Sequence, residues 1–352
     1  VNFHDKRWRL LILVPLLAVA ASLVYWRGPD WSLVRDAFTV VSWRWVVAAI
    51  GLNLLSVVTR ALSWDTTIKQ SIAPPFPRFP LVFSAFSVGL FANAVLPGRV
   101  GELARVAVLR RHLTGRKGTT ATLVGSVFAH RMFDLFPATV LVVWVLFTAK
   151  LPGWALTSIA LVLAIGVVMF VTGVALARRQ HRDIDALGPV RRLIAQGREG
   201  LAVMRSPVAA AQAGLFQFAG WTCQLFAVWA TMRAFHIYEH LSAAGLVLVL
   251  INVATIFPLW PGNFGLVQIA VALPLVNYGV AYPRGVAFGI GLQAIEASVG
   301  VGVGLIFLTR EGLSYATLKE FEQEESDRGP ADTAEREAER IRRVGVPTAP
   351  RR

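Results

Sequence analysis

Cysteine is almost absent. Cys223 is the only one and lies in an apolar run, so no internal disulfide can form and no thiolate metal site has a second ligand. The six histidines show no ligand spacing. There is no Asp-Asp-x-x-Asp cluster to hold a metal and no Gly-x-x-x-x-Gly-Lys-Ser/Thr run to cradle a nucleotide. No cofactor is expected. Acidic residues are scarce too: 21 Asp and Glu stand against 35 Lys and Arg, a formal net charge of +14. In a soluble chain that surplus would suggest nucleic acid. Here 55% of residues are apolar and mean hydropathy is +0.57, which indicates a polytopic membrane protein. The basic residues then read as cytoplasmic loops beside anionic lipid, with no nucleic-acid partner.

What the sequence has in abundance is long apolar runs. A span of ~30 Å of hydrocarbon takes about 20 residues, and hydropathy places full spans near 9–26, 45–64, 119–149, 153–176, 208–234 and 284–309. The first follows a charged start, His4 to Arg9, as a signal peptide would. Its apolar core is long and no small-residue cleavage site follows, so a retained span is expected. Two further apolar regions, 80–109 and 243–278, are interrupted. One carries Pro97-Gly98-Arg99-Val100-Gly101-Glu102, the other Pro261-Gly262-Asn263-Phe264-Gly265. Both read Pro-Gly-x-x-Gly, and 164 residues separate them. Irregular backbone at membrane depth is tolerated only where it is buried in protein or lines a cavity. Paired breaks in corresponding halves point to a transporter's binding site.

Charge decides how these two regions run. Lys69 and Arg78 precede the first, and Arg105, Arg110, Arg111, Arg116 and Lys117 follow its break, so both flanks read as cytoplasmic. The region must then dip in, turn at Pro97-Gly98 and return. The loop 177–207 holds seven arginines and is cytoplasmic, which puts 235–242 outside and makes 243–278 a hairpin from that face. The expected fold is all-α and polytopic: about six full transmembrane helices plus two opposed re-entrant hairpins in an inverted repeat. The first repeat fills 1–150 and the second 151–310. A charged cytoplasmic tail, 311–352, reads as a short helix followed by disorder. The alternative is a plain eight- or ten-span bundle with kinked helices. Trp8, Trp26, Trp43, Trp45, Trp64, Trp154 and Tyr278 lie near span ends, as interfacial belts require.

The candidate chemistry lies beside the breaks. Arg99, Glu102 and Arg105 recur at spacing three, which places them on one helix face. Each ionised group at the bilayer centre costs ~2.5–3.5 kcal/mol on insertion scales, so such groups persist when they pair, face a wet cavity or bind something. His130, Arg131 and Asp134 lie inside an apolar helix, with Arg60 and Glu296 on two others. Arg131 and Asp134 can pair. Arg60 either joins the set or snorkels to the cytoplasmic face. A self-satisfied Arg-Glu-Arg ladder is the plain alternative to a head-group site. The half-helices after each Pro-Gly turn direct N-termini into the membrane, and with surplus arginine these favour an anion such as phosphate. Gly98, Gly101, Gly262 and Gly265 permit close backbone approach, or else serve helix packing, as Gly289, Gly291, Gly300, Gly302 and Gly304 do. Asn93 and Asn263 either cap exposed backbone or touch ligand.

At these residues the chain resembles a known family. Asn93-x-x-x-Pro97-Gly98-Arg99-x-Gly101-Glu102-Leu103-x-Arg105 resembles the first signature of the lysylphosphatidylglycerol synthase transmembrane region, also called the flippase-like or UPF0104 family. Arg131-x-x-Asp134 and Pro258-x-x-Pro261-Gly262-x-x-Gly265 resemble its later motifs, and Arg60 and Trp64 stand where it often has Arg and Trp. The resemblance covers about 8–310. Two positions depart from it: His130 replaces a usual Glu, and after the second break Asn263 replaces a Gly and Gln268 an acid. In its best-known member the corresponding module translocates aminoacylated phosphatidylglycerol, and a soluble aminoacyl-transferase domain makes that lipid. No such domain occurs in this sequence, so lysyl-phosphatidylglycerol synthesis is not expected.

The sequence thus supports a bacterial inner-membrane translocase of a polar, phosphate-bearing lipid, with both termini cytoplasmic and membrane lipids as partners. Arg99, Arg105 and Arg131 would hold phosphate; Glu102, Asp134 and Glu296 would orient them or bind a cationic part of the head. Two other readings stand beside it. One is an integral-membrane transferase acting on lipid phosphates, with Glu102 or His130 as base. The other is a non-catalytic partner of a lipid-modifying enzyme, docking through 177–207 or the tail.

Overall fold

A computed structural model describes residues 29–96, 100–113, 119–150, 206–255 and 263–311, together with Gly153, Thr157 and Val203. The expected spans 9–26 and 153–176, the loop 177–207, the tail beyond Glu311, and Pro97, Gly98, Arg99, Pro261 and Gly262 lie outside this set or almost wholly so. Among the described residues there are nine helices and no strand: α1 (Trp31–Thr39), α2 (Trp43–Ser71), α3 (Phe79–Val95), α4 (Gly101–His112), α5 (Thr119–Thr148), α6 (Pro207–Ala234), α7 (Leu241–Ala254), α8 (Leu266–Val276) and α9 (Tyr282–Arg310). Three of them, α2, α5 and α9, are long and apolar enough to cross a membrane.

Both apolar regions with Pro-Gly sequences are broken where expected, between α3 and α4 and between α7 and α8. At 1.5 Å per residue α3 is about 25 Å long and the other three are shorter, so none alone reaches across ~30 Å of hydrocarbon. Two elements differ from expectation. No element was assigned between 26 and 45, where α1 forms, capped by Asp30, whose Oδ1 accepts from the Ser32 amide at 3.0 Å. And α2 continues two turns past 64, to Ser71. Lys69 pairs with Asp65 one turn earlier at 2.6 Å, and Thr66, Thr67 and Ser71 return their hydroxyls to carbonyls of the preceding turn.

The two hairpins back onto opposite halves of α9. Ser84 at the start of α3 donates to Glu311 Oε1 at 2.5 Å, and His112 at the end of α4 lies 3.4 Å from Glu311 Oε2. Both ends of the first hairpin therefore gather at the C-terminus of α9. Further along, a Cβ on Gly304 would lie 2.7 Å from the Ser87 carbonyl. The second hairpin packs on the N-terminal half of α9: a Cβ on Gly285 would sit 3.0 Å from Ala272 Cα, and one on Gly289 3.2 Å from Gln268 Cα. Its ends lie by the end of α5, where Gly245 faces Trp144 and the Tyr278 hydroxyl accepts from the Lys150 amide at 2.7 Å.

The most extensive packing joins α2 to α6. The Ser42 amide donates to Ala234 O (2.9 Å), Ser56 Oγ to Gly220 O (2.8 Å) and Ser63 Oγ to Ala213 O (2.9 Å). Fourteen residues forward on α2 is fourteen back on α6, and seven more forward is seven more back, so the helices are antiparallel in one unbroken register. Trp45 and Trp229 meet edge to face near one end, 5.6 Å between centroids. Of the glycines expected to serve packing, Gly289, Gly291 and Gly304 do so, whereas Gly300 and Gly302 have nothing within 4 Å.

A Cβ at Gly220 would lie 2.7 Å from Arg60 Cγ and 3.1 Å from Thr59 Oγ1. Gly220→Val is expected to destabilise the protein by about 1–3 kcal/mol, read as a lower melting temperature in detergent. Gly300→Val, in open space, should change it far less. Equal shifts would contradict close packing along this seam.

Candidate functional site

Five ionised side chains from α2, α4 and α5 form one chain of alternating sign. On α4, Glu102 and Arg105 are three apart and pair through Oε2 and Nη2. Glu102 Oε1 accepts from Arg131 Nη2 on α5. Arg131 Nη1 donates to Asp134 Oδ2 at 3.1 Å, again at spacing three. Arg60 Nη2 on α2 lies 3.4 Å from Asp134 Oδ1. The order is Arg105, Glu102, Arg131, Asp134, Arg60, three positive and two negative.

Asp134 ties this chain to α6. Trp221 Nε1 donates to its Oδ1 at 2.9 Å, and Gln217 Nε2 donates to the same oxygen. Arg60 therefore does not snorkel to a face: its side chain is 21% exposed and turned inward to the Asp134 carboxylate, which offers a better alternative to hydrocarbon.

Arg105 is the most deeply buried of the five, at 3% exposure. Its guanidinium lies 4.7 Å from the Trp64 ring centroid and 5.6 Å from that of Phe86. Trp64 is fully buried and donates to Ser126 Oγ at 3.2 Å. It is not an interfacial belt residue, because α2 runs on past it and α4 covers it. Among the described residues Arg105 Nε has no hydrogen-bond partner, and neither has Arg60 Nε. His130, 1% exposed, sits with its Nε2 3.2 Å from the Arg60 carbonyl. A carbonyl only accepts, so Nε2 carries the hydrogen, and Nδ1 is left as an unpaired acceptor. Arg60, Arg105 and His130 all line one cavity of about 30 Å³, with Asn93, Gly101, Glu102 and Arg131 among its other walls. That is room for one or two waters.

Backbone placement accounts for the asparagines. Asn93 Oδ1 accepts from the Gly101 amide at 2.9 Å, satisfying the first turn of α4. Asn263 Nδ2 donates to Ala254 O at 3.1 Å, satisfying the last turn of α7. Both cap backbone, which was one of two expectations. Gly101 is needed at its position, since a Cβ there would lie 2.6 Å from Asn93 Cγ and closer still to the Gly89 carbonyl of α3. Gly265 opens α8 at φ 91°, a conformation that side chains resist, and its amide donates to Gln268 Oε1 at 2.5 Å. Gln268 Nε2 in turn donates to Gln293 Oε1 at 2.6 Å.

Of the residues expected from sequence, Glu102, Arg105, Arg131, Asp134, Arg60, Asn93, Gly101 and His130 are brought together. Gln268, Asn263 and Gly265 belong to the second break. Glu296 does not join the charged network: it lies midway along α9 and makes no hydrogen bond or ion pair with a described residue. Sequence reasoning missed Gln217 and Trp221, although a glutamine inside an apolar helix is itself a signal of an interhelical partner. It also missed Phe86 and Ser126, which nothing in the local sequence distinguishes.

Asp134→Asn should cost about 3–5 kcal/mol, because it leaves Arg60 and Arg131 short of a counter-charge. Adding Arg131→Gln to it should restore part of the loss. The measurement is thermal melting of the purified single and double variants. A double variant less stable than Asp134→Asn would contradict the ladder.

The family model of the lysylphosphatidylglycerol synthase TM region matches residues 9–304, which include every residue of this cluster. Comparison with curated proteins and with solved structures finds no match. The chain belongs to the lysylphosphatidylglycerol synthase TM region family of membrane proteins.

Proposed function

We propose that this protein is a lipid translocase of the bacterial inner membrane that holds a phosphate-bearing head group at the Arg105 end of the charged ladder. The observation that carries the reading is the buried net charge. Three arginines and two carboxylates leave one positive charge uncompensated, beside a cavity lined by Arg60 and Arg105, whose Nε groups have no partner among the described residues. A buried donor without a partner is costly, and an anionic oxygen would satisfy it. Arg99, beside the first break, would add to that charge. Glu296, alone on α9, would meet a cationic part of the head.

The architecture supports alternating access. Shifted by 164 residues, α2 falls on 207–235, α3 on 243–259, α4 on 265–276 and α5 on 283–312, close to the bounds of α6, α7, α8 and α9. Ser56 and Gly220 are equivalent under this shift and hydrogen-bond to each other, on two antiparallel helices. A position that contacts its own equivalent lies on the axis relating the halves. This supports reading 1–150 and 151–310 as an inverted repeat with that axis in the membrane plane, the two hairpins re-entrant from opposite faces, and, from the charge of the loops, both termini cytoplasmic. A cavity of one or two waters is too small for a phosphate. Admission of the head needs the α3–α4 hairpin to move, and the tails would stay in lipid.

The transferase reading has one specific feature in its favour, the unpaired His130 Nδ1 at the cavity wall. Against it, both carboxylate oxygens of Glu102 are already paired with arginines, Oε2 with Arg105 and Oε1 with Arg131.

The test is lipid scrambling in proteoliposomes, with head-group-labelled phospholipids and a dithionite quench. Wild type should translocate. Arg105→Gln and Glu102→Gln should each slow the movement at least tenfold, since each charge-assisted hydrogen bond is worth about 1.5–3 kcal/mol. Wild-type protein that moves no labelled phospholipid, with or without an ion gradient, would overturn the reading. A chemically altered lipid recovered from the vesicles would favour the transferase.

A further inference from the structure

A second polar cavity opens on the α2–α6 seam. Its volume is about 230 Å³, several times that of the first, and Leu62, Asp65, Thr66, Lys69, Gln70, Gln212 and Phe216 line it. Asp65 lies five residues beyond Arg60 on α2, about 7.5 Å along the helix axis. None of the seven belongs to the charged ladder.

Asp65 is 4% exposed, yet its carboxylate is only half satisfied. Oδ2 accepts from Lys69 Nζ at 2.6 Å, whereas Oδ1 is buried and has no partner among the described residues. An ionised oxygen in that position calls for a donor, most strongly a charged one. Lys69 is the one cation among the described lining residues, and it is already committed to Oδ2. It does supply further acceptors: the Thr66 hydroxyl, whose hydrogen goes to the Leu62 carbonyl at 2.9 Å, and the side-chain amides of Gln70 and Gln212. A primary ammonium has three hydrogens to place, and this wall can accept them. Lys69 is 43% exposed in its side chain at the mouth of the cavity and can meet an anion. The pair of Asp65 and Lys69 is neutral as a whole, so the fitting guest is neutral as a whole too. Leu62 and Phe216 provide an apolar flank on which chains can lie.

We infer that the cavity between α2 and α6 binds a zwitterionic aminophospholipid head, the primary ammonium on Asp65 and the phosphate on Lys69. This site is separate from the ladder and does not rest on the translocase reading: lipid would bind here even if none were moved. A quaternary ammonium has no N–H to donate, and a glycerol head has no cation, so both should bind poorly.

The test uses the full-length purified protein exchanged into mixed micelles with equal amounts of phosphatidylethanolamine, phosphatidylcholine and phosphatidylglycerol of matched chains. Retained lipid is counted by native mass spectrometry. Phosphatidylethanolamine should be retained about tenfold over the other two, the value of one charge-assisted hydrogen bond. Asp65→Asn should abolish the preference. Because Asp65 is buried, two variants at exposed positions guard against misfolding: Lys69→Gln should weaken retention, and Gln212→Trp should block the cavity. Gly300→Val, in open space on α9, should leave the preference intact. Soluble phosphoethanolamine in excess tests the source of the head. Displacement would show that the head group alone suffices, and resistance would show that the chains contribute. Equal retention of the three lipids by wild type, or a preference that survives both Asp65→Asn and Gln212→Trp, would overturn the inference.

Discussion

A carboxylate placed midway along an apolar helix has to be compensated, and Asp134 is the point at which three elements meet that demand. Arg131 comes from its own helix, Arg60 from α2, and Gln217 and Trp221 from α6. Glu102 then brings in α4. Five ionised groups at about 3 kcal/mol each would cost ~15 kcal/mol if left in hydrocarbon alone. That is as large as the total stability of most folded domains. Alternation of sign along the ladder is therefore a condition of folding. It also fixes the relative placement of α2, α4, α5 and α6 more narrowly than apolar packing between lipid-facing helices can.

The ladder satisfies most of its own members and stops short at both ends. Arg105 lies between Trp64 and Phe86, whose ring faces offset part of its desolvation without taking its hydrogens. A purely structural ladder would be expected to terminate in a neutral acceptor or in water. Here each end is an arginine whose Nε has no partner among the described residues, and both arginines line one cavity. That surplus of donors distinguishes the arrangement from a self-contained Arg-Glu-Arg ladder, even though such a ladder is part of it.

How much of this could be read in the sequence follows the range of the interaction. The Pro-Gly breaks, the Glu102–Arg105 and Arg131–Asp134 pairs and the long apolar runs are local, set by periodicity over a turn or by proline; the helix breaks and both pairs are found, and the runs near 45–64, 119–149, 208–234 and 284–309 are helical. Contacts between distant segments leave no spacing behind. Trp64 looked like a belt residue because hydropathy ended its helix at 64, whereas α2 runs to Ser71 and the indole lies under Arg105. Glu296 was grouped with the ladder by charge alone, but it lies on α9, where the two hairpins approach from opposite ends. Gln217 was passed over because an amide carries no charge to balance.

The two halves share their helix lengths but not their chemistry. Under the 164-residue shift Arg60 corresponds to Gln224, Glu102 to Leu266, Arg105 to Ile269, Arg131 to Ile295 and Asp134 to Ser298. The second half answers the ladder with a neutral relay, Gly265 to Gln268 to Gln293. Neutral hydrogen bonds are about half as strong as charge-assisted ones, so this hairpin is held less firmly. If the halves exchange conformations, they do not exchange roles. A head group held at Arg105 would stay with the first hairpin and its five charges, because breaking that ladder in hydrocarbon is prohibitive. Among the described residues the second hairpin is tied by the neutral bonds of Gly265, Gln268 and Gln293, and on the translocase reading it would be the cheaper one to open. On the translocase reading, two halves of matched helix lengths and unequal charge would leave holding to the first and gating to the second.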